Sequence, residues 1–210
     1  MSGGMRFLLL SLTLLAIAAP AANAYPKLPN PLPPVQHNPA DRLASLPIED
    51  FVYDSATRCK NRDNPGITKL ATWLAGHTRG VFWGSYRCEK WGKNSASLHA
   101  ENRAIDWHLS VFDKADRRAA DKLIRLLLAP DKLGNPQALA RRMGVEELIW
   151  NCSYWAAGMR EFVPYRICYG KRGRIRKNLN PTVAHRDHVH IGMTKAGAAA
   201  KTSFWRRHTG

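Results

Sequence analysis

The sequence predicts a single α+β domain over residues 43–210. Segments in which apolar and polar side chains alternate, as is typical of strands, are separated by segments with the spacing of amphipathic helices. The chain has 210 residues, and it begins with the composition of an export signal followed by a proline-rich stretch. The remainder has the usual length of one domain, so we expect one hydrophobic core.

The first 42 residues are expected to lie outside that core. Residues 1–24 have the features of a secretory signal peptide: Arg6, an apolar run over residues 7–18, and a small-x-small cleavage site at residues 22–24. The run is shorter than the about 20 residues that cross a bilayer, so no membrane span is expected after signal removal; a retained anchor helix is the alternative. Six prolines in residues 25–42 predict an extended linker. A secreted protein, extracellular or associated with the cell wall, is therefore expected.

Three segments predict helices. Residues 66–78 carry apolar side chains at helical spacing. Residues 114–129 have an amphipathic pattern that begins after Asp113, a good N-cap residue, and ends at a proline. Residues 136–143 begin with a proline, which suits a first helical turn, and are followed by Gly144, which suits a helix exit.

Four segments predict strands, over residues 81–86, 104–112, 145–150 and 187–193. Two of them alternate, so that one face is apolar and the opposite face carries polar side chains. In residues 104–112 the first face holds Ile105, Trp107, Leu109 and Val111, and the second holds Ala104, Asp106 and His108. In the last strand the same pattern puts His188 and His190 on one face. We expect the apolar faces to be buried and the polar faces to carry the chemistry.

The formal net charge of the chain is +16 with neutral histidines, and a basic loop is expected over residues 169–179. A field of that size favours polyanionic partners. For an exported protein an acidic wall polymer is the more accessible polyanion. The basic loop also lacks interleaved aromatic residues on which bases could stack, so nucleic acid is not expected as the partner.

Four cysteines in an exported chain favour two disulfides over a zinc site, because no two of them have the close spacing of zinc-ligating pairs. Three pairings are possible. We prefer Cys59–Cys88 with Cys152–Cys168, since each closes a loop of moderate length around one half of the domain.

The histidines indicate a metal site. His99 and Asp106 are seven residues apart, and His188 and His190 are separated by one residue, so that on a strand they point to the same side. Zinc in catalytic sites prefers imidazole and carboxylate ligands, with three protein ligands and one open position. The two pairs together therefore predict a metal centre, although either pair alone is more often an ordinary polar pair.

These motifs resemble a known superfamily. Ser97-x-His99-x4-Ala104-x-Asp106, followed by His188-x-His190, is similar to the zinc metallopeptidase superfamily of D-alanyl-D-alanine carboxypeptidases, lysostaphin-type enzymes, murein endopeptidases and hedgehog domains, and closest to a little-characterised secreted branch. The resemblance implies a small central antiparallel sheet with flanking helices. It also implies that Zn²⁺ is bound by His99, Asp106 and His190.

The resemblance implies further roles at the metal. His188 would lie beside it and stabilise an oxyanion or relay a proton. The general base stays open between His185, under the murein endopeptidase comparison, and Asp187, which stands where many carboxypeptidases have Glu. The superfamily usually has Gly at the position of Asn102, and Asn is the residue that best tolerates a positive φ after Gly.

Three functions follow from these observations. The first is a secreted zinc metallopeptidase that hydrolyses peptide bonds in bacterial cell-wall peptidoglycan, with Arg87 or Arg79 as a candidate for holding a substrate carboxylate. The alternative is a non-catalytic zinc-bearing binding domain of hedgehog type. A metal-dependent nuclease is the least favoured, because the His and Asn arrangement of a ββα hairpin nuclease is missing from the sequence.

Overall fold

The computed structural model describes residues 35–207 and shows an α+β fold, as predicted. The expected signal peptide and residues 25–34 of the expected linker lie outside the described residues. The helices are α1 (Pro65–His77), α2 (Lys114–Leu128), α3 (Ala138–Met143), α4 (Lys195–Ala198) and α5 (Ser203–Arg207). The strands are β1 (Val81–Gly84), β2 (Lys90–Gly92), β3 (Ser95–Ala96), β4 (Ala104–His108), β5 (Val145–Trp150), β6 (Ser153–Ala156), β7 (Val163–Pro164) and β8 (His188–Met193).

Six strands form the main sheet, in the order β1-β4-β8-β5-β6-β7, and every neighbouring pair is antiparallel. Strands β2 and β3 form a separate two-stranded sheet. The last long strand, β8, therefore inserts between β4 and β5. This insertion brings the two histidine-bearing segments of the sequence into direct hydrogen-bonded contact.

One face of the main sheet packs against the helices. The core side chains of β4 and β8 are those on the predicted apolar faces, and they pack with buried residues of α1, α2, α3 and α5. The strand residues in this core include Ile105, Trp107, Val189, Ile191 and Met193. The prediction that alternation separates a buried back from a polar front is confirmed.

Helix α2 begins as the sequence predicts. The Asp113 side chain accepts hydrogen bonds from the backbone amides of Ala115 and Asp116, both at 2.8 Å. These bonds satisfy two of the amides that a helix N-terminus leaves without an intrahelical partner.

Several predicted boundaries are too wide. Helix α3 begins at Ala138 and not at residue 136, because Gln137 has a left-handed backbone with φ of 54°. Strand β1 ends at Gly84, before the predicted residue 86, after a shift of register in its pairing with β4 between Phe82 and Gly84. Strand β4 ends at His108, four residues before the predicted end, and β8 begins at His188.

The predicted linker boundary at residue 42 is also too late. Residues Pro39–Leu43 form a 3-10 helix whose first amide is capped by the side chain of Asn38. Ala40 and Leu43 are buried in the main core. Prolines restrict helix interiors, but a proline at the first position of such a turn is well tolerated.

Both preferred disulfides are present, Cys59–Cys88 and Cys152–Cys168. They are compatible with an extracellular protein. Over residues 35–207, no helix has the length and apolar character needed to cross a membrane.

Candidate metal centre

Strand register positions two of the predicted ligands. In the β4–β8 pair, Asp106 lies directly opposite His190, and His108 lies opposite His188. Residues directly opposite in an antiparallel pair have side chains on the same face, close enough to interact. Both pairs are on the face away from the helices, so the alternation of the two strands concentrates imidazole and carboxylate groups at one place.

A short turn brings the third predicted ligand to the same place. His99 belongs to the 3-10 helix Leu98–Glu101, which begins after Ser97 and ends at Asn102. Asn102 has a left-handed backbone with φ of 53°, a conformation that Asn tolerates better than most other residues. This residue reverses the chain into β4 and leaves His99 fully buried against Asp106.

The three side chains converge on one point. His99 Nε2 lies 3.0 Å from His190 Nδ1 and 3.1 Å from Asp106 Oδ1, and the last two atoms are 3.3 Å apart. Ligand bonds of about 2.0–2.1 Å in a tetrahedral arrangement place neighbouring ligand atoms about 3.3 Å apart. The buried group His99, Asp106 and His190 can therefore hold a metal ion.

A backbone carbonyl determines which nitrogen of His99 faces the site. His99 Nδ1 lies 2.8 Å from the carbonyl oxygen of Ser85, to which it donates as N–H, so that Nε2 is left as the ligand atom. Metal-binding histidines usually donate their second N–H in this way, which fixes the tautomer and the ring orientation. Burial lowers the pKa of His99, which favours the neutral ring that a metal requires.

A buried glutamate orients the ring of His190 in a similar way. Glu147 Oε1 lies 3.1 Å from His190 Nε2, while its Oε2 accepts a hydrogen bond of 2.7 Å from Tyr53. Burial by itself lowers the pKa of His190, but the hydrogen bonds with Asp106 and Glu147 outweigh it and raise this pKa to about 9. Two carboxylates thus create a strong demand for positive charge at His190, which a proton or a metal ion can meet.

The carboxylate of Asp106 is ionised and anchored at both oxygens. Burial by itself raises its pKa, but the close contacts with His190 and His99 hold this pKa well below its usual range. Oδ1 faces the histidines, and Oδ2 accepts a hydrogen bond from the half-exposed Arg87. This arrangement leaves one oxygen of Asp106 for a metal.

Two further histidines flank the convergent group. His188 is buried, and its Nε2 lies 3.4 Å from Asp106 Oδ1 without a hydrogen-bond partner. The ring of His185 is centred 4.7 Å from that of His188 and 5.7 Å from that of His190, and its buried Nδ1 also has no partner. Burial lowers the pKa of His185 well below its ordinary value, so this ring is neutral.

The other base candidate, Asp187, is oriented away from the convergent group. Its Oδ1 lies 2.8 Å from His188 Nδ1, and its Oδ2 accepts a hydrogen bond of 2.6 Å from Thr182. The backbone carbonyl of Asp187 lies 2.7 Å from His108 Nδ1. Asp187 therefore orients the two neighbouring histidines, and His108 also stacks on Trp83.

The structure separates the candidate cations. Arg87 is at the site, whereas the exposed Arg79 pairs with Asp116 at the start of α2. Arg103 is buried. It holds the metal-motif turn, residues 98–103, in place through hydrogen bonds to Glu101, Glu146 and the carbonyl of Met193.

Two contributors were not predicted from the sequence: Glu147 and the Ser85 carbonyl. The only sequence signal for Glu147 is that it and Glu146 are charged residues in a segment predicted to be a strand, and a backbone carbonyl leaves no signal.

No protein-family model, curated protein or solved structure matches this chain. The geometry of the site and the motif spacing therefore carry the functional interpretation.

Proposed function

We propose that the protein is a secreted zinc peptidase that hydrolyses peptide bonds in bacterial cell-wall material. The observation that carries the proposal is the convergence of His99 Nε2, Asp106 Oδ1 and His190 Nδ1, which lie 3.0–3.3 Å from one another. Structural zinc sites usually have four protein ligands, whereas catalytic sites have three. In the described chain the convergent group has three members, which supports a catalytic site.

Zinc is the proposed ion because two imidazoles and one carboxylate form the ligand set of hydrolytic zinc sites. Zinc supplies Lewis acidity and makes hydroxide available near neutral pH. His99, Asp106 and His190 would hold it, and Ser85 and Glu147 would keep the two rings in their ligating orientation.

The neighbouring histidines provide groups for proton transfer and charge stabilisation. His185 is the better base, since its Nδ1 is buried without a partner, while both oxygens of Asp187 are already bonded. His188 is oriented by Asp187 and presents Nε2 toward the site, where its protonated ring would donate a hydrogen bond to the oxyanion. Arg87 is close enough to approach a substrate carboxylate if its pairing with Glu89 is exchanged.

The substrate class is supported by the motif resemblance and by the disulfides, which are compatible with the extracellular environment. We also propose that the main sheet is of the hedgehog and D-alanyl-D-alanine carboxypeptidase type. The antiparallel order of the observed sheet is consistent with it.

Metal analysis combined with digestion of peptidoglycan tests the proposal. Purified protein loaded with zinc is incubated with peptidoglycan fragments, and the products are identified by mass spectrometry. We expect about one zinc per chain and new peptide ends for the wild type. The variants His99→Ala and His190→Ala should lose both. The control His77→Ala, at the end of α1, should lose neither.

A non-catalytic zinc-binding domain is the second candidate, and one observation favours it. In the described part of the chain, the acid that stands where a carboxypeptidase has its Glu base is turned away from the convergent group. Tight zinc binding without any peptide product from the wild type would select this function. A chain that binds no zinc would contradict both candidates.

A further inference from the structure

A cavity lined by cationic side chains lies beside the metal-motif turn. Its volume is about 180 Å³, and it lies between the loop of residues 57–64, the turn at residues 101–103 and the start of α4. The charged side chains that line it are Arg58, Lys60, Arg62, Arg103, Lys195 and Glu101. By contrast, the larger cavity of about 570 Å³ between α1 and β1 has one ionisable lining residue, Asp63. The larger cavity therefore lacks the positive charge that lines the smaller one.

Most of this positive charge is not neutralised within the protein. Arg103 is paired with Glu101 and Glu146, so it adds little to the field of the cavity. In residues 35–207, by contrast, no carboxylate lies within ion-pair distance of Arg58, Lys60 or Arg62.

The last lining cation, Lys195, is only weakly paired. It is 65 % exposed and lies 3.7 Å from Asp54, a distance too long for a strong ion pair. Cations that line one cavity repel one another, and a bound anion reduces that cost.

The loop that carries these cations is held in a fixed position. The amide of Lys60 donates to the carbonyl of Ala100 at 2.6 Å, and the Asn102 side chain donates to the carbonyl of Arg62 at 2.7 Å. The Cys59–Cys88 disulfide joins the middle of the same loop to the segment that carries Arg87. A preorganised loop loses less conformational entropy when it binds a ligand.

We propose that this basic cavity is a binding site for a phosphodiester polymer of the cell wall. The cavity is smaller than the about 300–1,000 Å³ of small-molecule pockets, so it suits one anionic group of a longer chain and not a whole small ligand. Its lining contains no aromatic side chain. Single-stranded nucleic acid is bound in large part by stacking of its bases on such groups, so the cavity favours a polyanion without bases.

The cavity lies close to the candidate metal centre, so binding there could position that centre. Glu101 and Arg103, which line it, follow His99 by two and four residues. A polymer held there would keep the metal centre close to the wall. The binding does not depend on peptide cleavage at that centre, and the site exists even if the metal has no catalytic role.

Fluorescence anisotropy with labelled poly(glycerol phosphate) tests the proposal on the mature protein. The test variant combines Arg58→Gln, Lys60→Gln and Arg62→Gln. The matched control combines Lys171→Gln, Arg174→Gln and Lys177→Gln, which removes the same charge from the exposed basic loop. Thermal unfolding verifies that both variants fold, and the single variant Lys60→Gln provides a milder perturbation.

We expect wild-type binding that weakens as salt is raised from 50 to 200 mM. Each exposed cation near an anionic surface contributes about 1 kcal/mol, or about 5-fold in affinity. The test variant should therefore bind about 100-fold more weakly, Lys60→Gln about 5-fold more weakly, and the control within about 3-fold of the wild type.

Several results would overturn the proposal. Equal losses in the test variant and the control would show that net charge, and not the cavity, binds the polymer. Tighter binding of a DNA duplex with the same dependence on the three cations would assign the cavity to nucleic acid. Absence of wild-type binding at 50 mM salt would remove it altogether. Zinc content and cleavage of a short soluble peptide are measured in parallel, so failure of the metal proposal is recognised separately.

Discussion

Replacement of Glu147 by Gln tests whether the buried carboxylate prepares His190 for a metal. The substitution keeps the shape of the side chain and removes one negative charge. Glu147 is 9 % exposed, with Oε1 at 3.1 Å from His190 Nε2 and Oε2 at 2.7 Å from the Tyr53 hydroxyl. These contacts hold the carboxylate in place, and hydrogen bonds from His190 and Tyr53 help to lower the pKa of Glu147 against the effect of its burial.

The expected loss follows from the kind of bond that is removed. A hydrogen bond with an ionised partner is roughly twice as strong as a neutral one, and loss of the partner of a metal-bound histidine typically costs about 10–100-fold in metal affinity. Because the amide oxygen of Gln can still accept a hydrogen bond, we expect a value near the lower limit, about 10-fold. The corresponding free energy is about 1.4 kcal/mol.

Competition with a zinc chelator at constant pH measures the affinity. Glu161→Gln is the control, since it removes the same charge from an exposed position, and we expect it to bind zinc like the wild type. Tyr53→Phe, which removes a hydrogen bond to Glu147 but no charge, should have an intermediate effect. Wild-type zinc affinity in Glu147→Gln would refute the view that this carboxylate orients His190.

Three further predictions concern stability. Replacing Cys152 and Cys168 by Ala opens a loop with a sequence separation of 16 and should lower the free energy of unfolding by about 3 kcal/mol in urea titrations; an unchanged midpoint would contradict this. Replacing Asn102 by Ala removes the short polar side chain that makes a left-handed backbone tolerable, together with its hydrogen bond to the carbonyl of Arg62, so thermal unfolding should show a loss of about 1–2 kcal/mol. Burial raises the pKa of Glu146 to about 7. The unfolded chain therefore loses this proton at lower pH than the folded one, and the stability of metal-free protein should fall as pH rises from about 4.5 to about 7, with a smaller slope in Glu146→Gln.

Alternation along the chain was sufficient to predict which side chains of β4 and β8 face the helices. It also put Asp106, His188 and His190 on polar faces, because a strand side chain can point only to one side or the other. The pattern cannot give the partner of a strand. The adjacency of β4 and β8, which are separated by eighty residues of sequence, could be expected only from the resemblance of the motifs.

The residues that support the ligands were harder to predict, because their roles depend on long-range contacts. Glu147 reaches His190 through the pairing of β5 with β8, which includes an irregularity between Val145 and Glu147. The Ser85 carbonyl reaches His99 because β1 ends one residue earlier. Neither contact follows from local sequence.

The free-energy cost of burying polar side chains on the sheet face away from the helices supports a ligand-binding role for that face. His99, Asp106, Glu147, His188 and His190 are all 9 % exposed or less, and buried polar groups cost free energy unless they are fully paired. Beside them, His185 Nδ1 and His188 Nε2 are nevertheless buried without a hydrogen-bond partner. Replacing such a network by well-packed apolar residues is often neutral or stabilising, so stability alone does not explain it. These two nitrogens are not among the three convergent ligand atoms, so they can pair with a group bound beside that point, which a purely structural role would not require.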